Sequence, residues 1–316
     1  MTSARGVRTS WLLGGALIFL ANFLGGASYP VQKWGLTLFP AGTLTFLRNG
    51  SAVVPLLVIL WLRRRRLVGW SAGELGRAAL VGTLGFAVPL VLGCEGVERS
   101  TSINASLLIL LEPLTILLFA WLLLREHIAP SQIAGVLLGI AGAVVLVLDA
   151  GSPGLTDTSH LTGNLLLAAS AVAWGLYTPL AKPLLARHDP FAVTAVTVAF
   201  SLVLLGPYAL LERGDWPAAW SMEATWMLLV LGGLIAFVGT VAWIAALDHL
   251  PASWVAPFLL VQPLAGTLGG VVWFDERLTT TVLAGGGLIV LGLASTLVSA
   301  RLRRRRARRA ARQLPR

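Results

Sequence analysis

The chain has 316 residues, 56% of them hydrophobic and only 12% charged, about half the charged share of a soluble domain. Its 24 bases and 14 acids give a formal net charge of +10, but nine of the bases fall in the last sixteen residues and four more form the run Arg63 to Arg66. A soluble protein needs charge spread over its whole surface, so that class is excluded, and orientation in a membrane explains the bases better than nucleic-acid binding does.

In chain order, ten apolar runs are long enough to cross a hydrocarbon core about 30 Å thick at about 1.5 Å per helical residue. They cover roughly 11–31, 40–62, 77–97, 101–124, 131–149, 162–182, 190–211, 226–247, 252–273 and 281–300. Proline, glycine or charge marks each break, as at Pro40, Glu98-Arg99, Arg125-Glu126, Asp189-Pro190 and Asp248-His249. The breaks at 98–100 and 248–251 are short and predict tight helical hairpins. Arg5 and Arg8 ahead of the first run, with Gly25-Gly26-Ala27 near its end, also fit a signal peptide. The first run has a counterpart in mid-chain, which favours a retained span. The expected order is a cytoplasmic segment 1–10, five spans over 11–149, an external linker 150–161, five spans over 162–300 and a cytoplasmic arginine-rich tail 301–316.

Ten spans place both termini on one side. That side holds 19 of the 24 Lys and Arg, the other holds four, and Arg48 lies inside a span. The positive-inside rule puts the termini in the cytoplasm, with the tail against lipid headgroups.

The halves repeat at an offset of 149–150 residues. Gly26-x3-Pro30-x2-Lys33 recurs as Gly175-x3-Pro179-x2-Lys182. Pro40 pairs with Pro190, Gly82 with Gly232, Gly135 with Gly285 and Gly142 with Gly292. Pro113 pairs with Pro263, and a glutamate follows each thirteen residues later, Glu126 and Glu276. Five spans per copy is odd, so the second copy enters the membrane from the opposite side. The sequence predicts an all-α integral membrane protein of ten transmembrane helices, built as two inverted five-helix repeats.

These motifs resemble the drug/metabolite transporter superfamily and, within it, the EamA-like family. Trp174-Gly175-Leu176-Tyr177-Thr178-Pro179-Leu180-Ala181-Lys182 matches that family's first-helix pattern. Phe46-Leu47-Arg48 resembles its second helix, Asn104 to Pro113 with Leu122 to Glu126 its fourth, and Gly135 to Gly142 its fifth. The similarity spans about residues 10–300. The chain departs from the pattern at Gly25, where a Trp is expected in the first copy, and at Arg125, where Gly usually precedes the glutamate. Val198, Trp254 and Gln262 stand opposite Arg48, Asn104 and Glu112, so the halves have diverged. The resemblance implies an ATP-independent carrier of small metabolites or drugs, often an exporter.

An ionisable group at membrane depth is a functional candidate by default. Glu112 lies about 16 Å from the outer end of its helix and Arg48 about 12 Å, depths close enough to pair or to share a substrate. A carboxyl that binds and releases a proton as access alternates makes Glu112 the candidate for proton coupling. Trp174, Tyr177, Trp243 and Gln262 also fall within spans and suit the lining of an organic-solute cavity. Asn22 and Asn104 read as interhelical hydrogen-bonding residues. Glu126 and Glu276 read as structural or gating residues at helix ends.

The expected activity is secondary transport of a small metabolite or drug by alternating access, as proton-coupled export from the cell. Uptake on the same fold is the alternative. A membrane-embedded enzyme is the reading from another class, and it would need a His/Cys/Asp constellation that the spans lack. One cysteine, scattered histidines and the absence of a phosphate-binding GxxxxGK[ST] call for no cofactor, metal or ATP. The expected partners are the solute, protons and membrane lipids.

Overall fold

The computed structural model describes residues 4–62, 69–125, 130–148, 157–216, 220–249 and 256–313. They are nearly all helical, with no strand among them. Ten spans follow in order. α1 is Ala4–Gly35 and α2 Ala41–Leu62. α3 runs as Ala72–Gly82, a π-helical stretch Thr83–Ala87, and Val88–Glu98. α4 runs as Ser102–Leu108, a 3-10 turn Ile109–Leu111, and Glu112–Leu124. α5 is Pro130–Val147, α6 Asp157–Leu185 and α7 Pro190–Leu211. α8 runs as Met222–Leu228, a longer π-helical stretch Leu229–Val238, and Gly239–His249. α9 opens on a 3-10 stretch Ala256–Leu260 and continues as Val261–Phe274, and α10 is Thr280–Gln313.

Seven of these helices satisfy the length and apolarity needed to cross a bilayer, and the shorter apolar segments Gln132–Val147, Phe258–Phe274 and Thr280–Ser295 complete the ten. Their outer faces are apolar. Leu211, Leu264 and Leu137 are 83%, 71% and 61% exposed, a surface suited to acyl chains rather than water.

The packing has two-fold pseudo-symmetry. α1 packs on α8 and α9, and its repeat partner α6 packs on α3 and α4. α2 packs on its own counterpart α7, and α5 on α10. The repeat glycines make the α5–α10 contact reciprocal. A Cβ on Gly142 would fall 2.6 Å from the Gly285 carbonyl oxygen, and one on Gly292 would fall 2.5 Å from that of Gly135. In lipid, where no hydrophobic force drives helices together, such close backbone approach supplies the packing.

Three boundaries differ from the sequence reading. α3 starts at Ala72 rather than near 77, because Ser71 and Glu74 form a capping box that satisfies the first free N–H groups. α6 begins at Asp157, inside the stretch expected as linker, and its first turns bury His160 and Asn164. α10 continues to Gln313, since Arg and Ala are strong helix formers. The Arg63 run, Glu126 and most of the linker lie outside the described residues.

Arg125 has φ +54° and Asp275, its repeat counterpart, φ +51°. This left-handed backbone favours glycine and costs other residues about 1–2 kcal/mol. The family's glycine at position 125 therefore has a geometric reason. Arg125→Gly should raise stability in detergent by about 0.5–1 kcal/mol, read as a higher midpoint of thermal unfolding, once glycine's extra unfolded-state freedom is set against the gain. An unchanged or lower midpoint would show that this turn carries no strain.

Candidate functional site

The centre of the bundle is built from paired irregularities. Proline has no N–H, so Pro113 and Pro263 each interrupt the ladder one turn earlier. The helices tighten there into 3-10 geometry, at Ile109–Leu111 before Glu112 and at Ala256–Leu260 before Gln262. In α3, Pro89 has the opposite effect. The ladder slips outward so that the Val88 N–H reaches the Thr83 carbonyl, and a matching π-helical stretch lies in α8. Irregular backbone of this kind recurs at functional sites and, within a membrane, lines protein-enclosed space.

Glycines bring these breaks together. A Cβ on Gly26 would fall 2.1 Å from the Gln262 carbonyl oxygen, so α1 crosses α9 at its break. A Cβ on Gly175 would fall 2.1 Å from Thr115 Oγ1, so α6 crosses α4 just past Glu112. Gly82 and Gly232 do the same for α3 on α7 at Thr197 and for α8 on α2 at Arg48 and Ser51.

Arg48 and Glu112 both lie inside spans and are half-buried. No ion pair joins them among the described residues. Arg48 Nε is buried without a hydrogen-bond partner. The Tyr29 hydroxyl is within electrostatic reach of both the Glu112 carboxyl and the Arg48 guanidinium. Cys94 is a further neighbour of Arg48. Asn49, next in α2, is committed to packing and donates to Ser201 Oγ at 2.9 Å.

Trp174 and Tyr177 share one neighbour. The Phe86 ring, in the π-helical stretch of α3, meets both edge-on at centroid distances of 5.0 and 5.5 Å. Gln262 donates to Asn22 Oδ1 at 3.0 Å, and its side chain lies against Gly25. A Cβ on Gly25 would meet Gln262 Cδ at 3.5 Å, an ordinary contact, so Gln262 does not by itself demand glycine there. Trp243 packs in a separate cluster with Ile18 and Phe258. Asn104 donates to Asn164 Oδ1 at 3.1 Å, which makes it interhelical, as is Asn22.

Tyr29 and Phe86 are neighbours of the candidate residues that sequence reasoning missed, and so, elsewhere in α3, is the ion-paired Glu95. Glu95 had a clear signal, an acid inside the predicted third span. Its carboxylate accepts from the Tyr208 hydroxyl and pairs with Arg99. Tyr29 and Phe86 had little signal, since aromatic residues in a span read as packing or lipid contact.

Polar contacts between the two repeats lie at both ends of the bundle: at the end that carries the termini Glu74 pairs with Arg187 at 3.3 Å and stands 3.3 Å from His188, and a larger group lies at the other end. Glu212 accepts from the Gly42 and Thr43 N–H groups at 3.0 and 2.7 Å, capping α2. Trp34 Nε1 donates to Glu223 at 2.8 Å, Ser100 donates to Asn164 at 2.5 Å, and Lys33 pairs with Glu276 at 2.6 Å.

The EamA-like transporter family model matches residues 12–148 and again 161–298. Two relatives are named as transport proteins. One, from Archaeoglobus fulgidus, is called an "uncharacterized transporter" and is 26% identical over 85% of this chain and 92% of its own. Another, from Streptantibioticus cattleyicolor, is called a "probable terminal-alkyne amino-acid exporter" and is 31% identical over 84% of this chain and 87% of its own. A solved crystal structure covering 93% of this chain and 97% of its own matches with a TM-score of 0.60 at 24% identity, a likeness of fold. The chain belongs to the EamA-like transporter family, and it is a membrane-embedded transport protein.

Proposed function

We propose that this EamA-like transporter exports a small zwitterionic solute by alternating access and couples that movement to protons through Glu112. The observation that carries the reading is the arrangement of Arg48 and Glu112. Two opposite charges stand half-buried within the spans without pairing with each other, and Tyr29 lies within electrostatic reach of both. A carboxylate and an ammonium on one solute would satisfy both charges, whereas an empty low-dielectric site leaves each uncompensated. The Phe86, Trp174 and Tyr177 rings offer apolar surface for the rest of the solute. The relative named for amino-acid export supports both the chemical class and the outward direction. Two inverted repeats supply a mechanism without ATP, because one can close as the other opens around a fixed site.

The test is a resistance screen. Cells producing the protein should survive toxic amino-acid analogues better than cells producing Arg48→Gln, and should hold less analogue inside. Sensitisation would make the protein an uptake carrier. Equal survival across a broad zwitterion panel would overturn the substrate class.

The orientation is proposed from charge, with the cell membrane as location and both termini in the cytoplasm. In a Cys94→Ser background, Asp215→Cys should react with an impermeant thiol reagent on intact cells. Arg187→Cys should react only after permeabilisation. The reverse pattern would invert the topology.

A further inference from the structure

The ion pair at the far end of the bundle has a geometry that a simple turn does not need. After α9 the chain turns through Asp275 in left-handed geometry, and the Glu276 N–H donates back to the Gly270 carbonyl at 3.1 Å. The Glu276 side chain therefore folds back over α9. Only glycine leaves room for it, since a Cβ on Gly270 would fall 2.4 Å from Glu276 Oε2. Glu276 is 5% exposed. Its Oε1 accepts from Lys33 Nζ at 2.6 Å and from the Ser102 N–H at 2.8 Å, and its Oε2 accepts from the Ile103 N–H at 2.9 Å. Lys33 Nζ also reaches the Ser100 carbonyl at 3.4 Å and stands 5.3 Å from the Phe274 ring centroid. One carboxylate of the second repeat thus fastens two elements of the first, the end of α1 and the start of α4. α1 carries Tyr29 one turn below Lys33, and α4 carries Glu112 beyond its 3-10 break.

We propose that Lys33 and Glu276 form an ionic latch that holds shut the route to the site from the end away from the termini, and that this structure shows the latch closed. The proposal rests on the alternating-access reading, in which that route must open and close. An ion pair suits a part that separates repeatedly. It adds little net stability, because pairing must offset desolvation, but it has two distinct states, paired inside or solvated when the end opens. Lys33 is already partly accessible, its side chain 26% exposed, so water can replace its partner with little rearrangement. Both residues occupy repeat-motif positions, one in the Gly-x3-Pro-x2-Lys motif and the other thirteen residues after Pro263. Their pairing therefore joins the motif of one repeat to that of the other. As positioning residues they act on Tyr29 and Glu112 through the helices they hold.

The experiment reads access directly and needs no transported solute. In a Cys94→Ser background, a cysteine replaces Gln32, which is 6% exposed and lies on the site side of Lys33. An impermeant thiol reagent is applied from the face opposite the termini, in intact cells and in inverted vesicles so that either orientation is covered. Labelling should be slow with the latch intact and about tenfold faster or more in Lys33→Gln and Glu276→Gln. Lys33→Arg should restore slow labelling. Lys33→Gln leaves the α4 cap untouched, so it carries the test if Glu276→Gln does not fold. A rate within about twofold of the parent in folded Lys33→Gln would overturn the latch. Faster labelling in a protein that confers no resistance to any zwitterion would support the latch and overturn the zwitterion reading, so the two ideas fail separately.

Discussion

In proteoliposomes with an imposed proton gradient, Glu112→Gln should reduce uphill accumulation of the solute to background while leaving solute exchange measurable. Pro113 breaks α4 beside Glu112 and puts the carboxyl next to irregular backbone at membrane depth. The carboxyl is half-buried, and among the described residues no basic side chain pairs with it. It can therefore exchange a proton with whichever side the cavity faces. Gln262, its repeat counterpart, cannot titrate and is already bonded to Asn22, so only one half would carry the coupling proton. Glutamine preserves the size of Glu112 and much of its hydrogen bonding, so exchange can persist without coupling. Linkage between two ligands is typically about 1–3 kcal/mol, or roughly 5- to 150-fold in affinity. The mutant should lose a factor of that order in the pH dependence of solute binding. Uphill transport by Glu112→Gln with wild-type pH dependence would exclude Glu112 as the coupling group. Loss of exchange as well would assign it a fixed charge that holds the solute's cationic end.

Much of the fold was readable because a bilayer removes choices. Each span must satisfy its own backbone, so long apolar runs become helices, and odd-numbered repeats become inverted. Paired glycines then marked the close contacts, as Gly142 and Gly292 do between α5 and α10. Boundaries read from hydropathy failed where polar residues start or prolong a helix. Ser71 and Glu74 cap α3 before its apolar run begins, and Asp157 to Asn164 form helical turns whose polar side chains are buried. The capping box was present in the sequence and could have been used. The burial of His160 and Asn164 could not, because it depends on Ser100 and Asn104 of another helix.

The site was less legible for a related reason. Depth along a helix is readable from sequence, but the face a residue presents is not when every face is apolar. Arg48 and Glu112 stood out because charge is rare at that depth. Trp174 and Tyr177 lie one turn apart and proved to share Phe86, whereas Trp243, at a similar distance into its span, packs with Ile18 and Phe258. Nothing in the local sequence separates these outcomes. By sequence Glu276 reads as a helix-end residue with a structural or gating role. Its partner Lys33 is 243 positions away, a pairing that only the tertiary fold could reveal.

The close crossing of α1 and α9 predicts an unusually severe effect for the smallest possible substitution. A Cβ on Gly26 would lie 2.1 Å from the Gln262 carbonyl oxygen, 2.7 Å from its Cα and 2.8 Å from its carbonyl carbon. All three atoms are backbone, so no side-chain rotation can relieve the clash and the helices must move apart. Overpacking commonly costs about 1–3 kcal/mol, and a backbone-to-backbone clash belongs at or above the top of that range. The movement would also strain the bond from Gln262 to Asn22 and displace Tyr29, one turn further along α1. Gly26→Ala should therefore lower the yield of folded protein in detergent and its unfolding midpoint, and impair transport in whatever folds. Gly175→Ala is the matched case in the other half, where the nearest atom is the Thr115 hydroxyl, at 2.1 Å, with its Cβ at 2.8 Å. The hydroxyl can rotate away, whereas the Cβ and the backbone carbonyl carbon at 3.0 Å cannot, so this variant should be harmed clearly but less than Gly26→Ala. Gly15, also in α1, has nothing within 4 Å of its Cβ position, and Gly15→Ala should be neutral or gain up to about 1 kcal/mol from helix propensity. The expected order of harm is Gly26, then Gly175, then Gly15. If Gly26→Ala is as stable as Gly15→Ala and transports normally, α1 and α9 do not meet at the breaks, and the site built on that crossing falls with it.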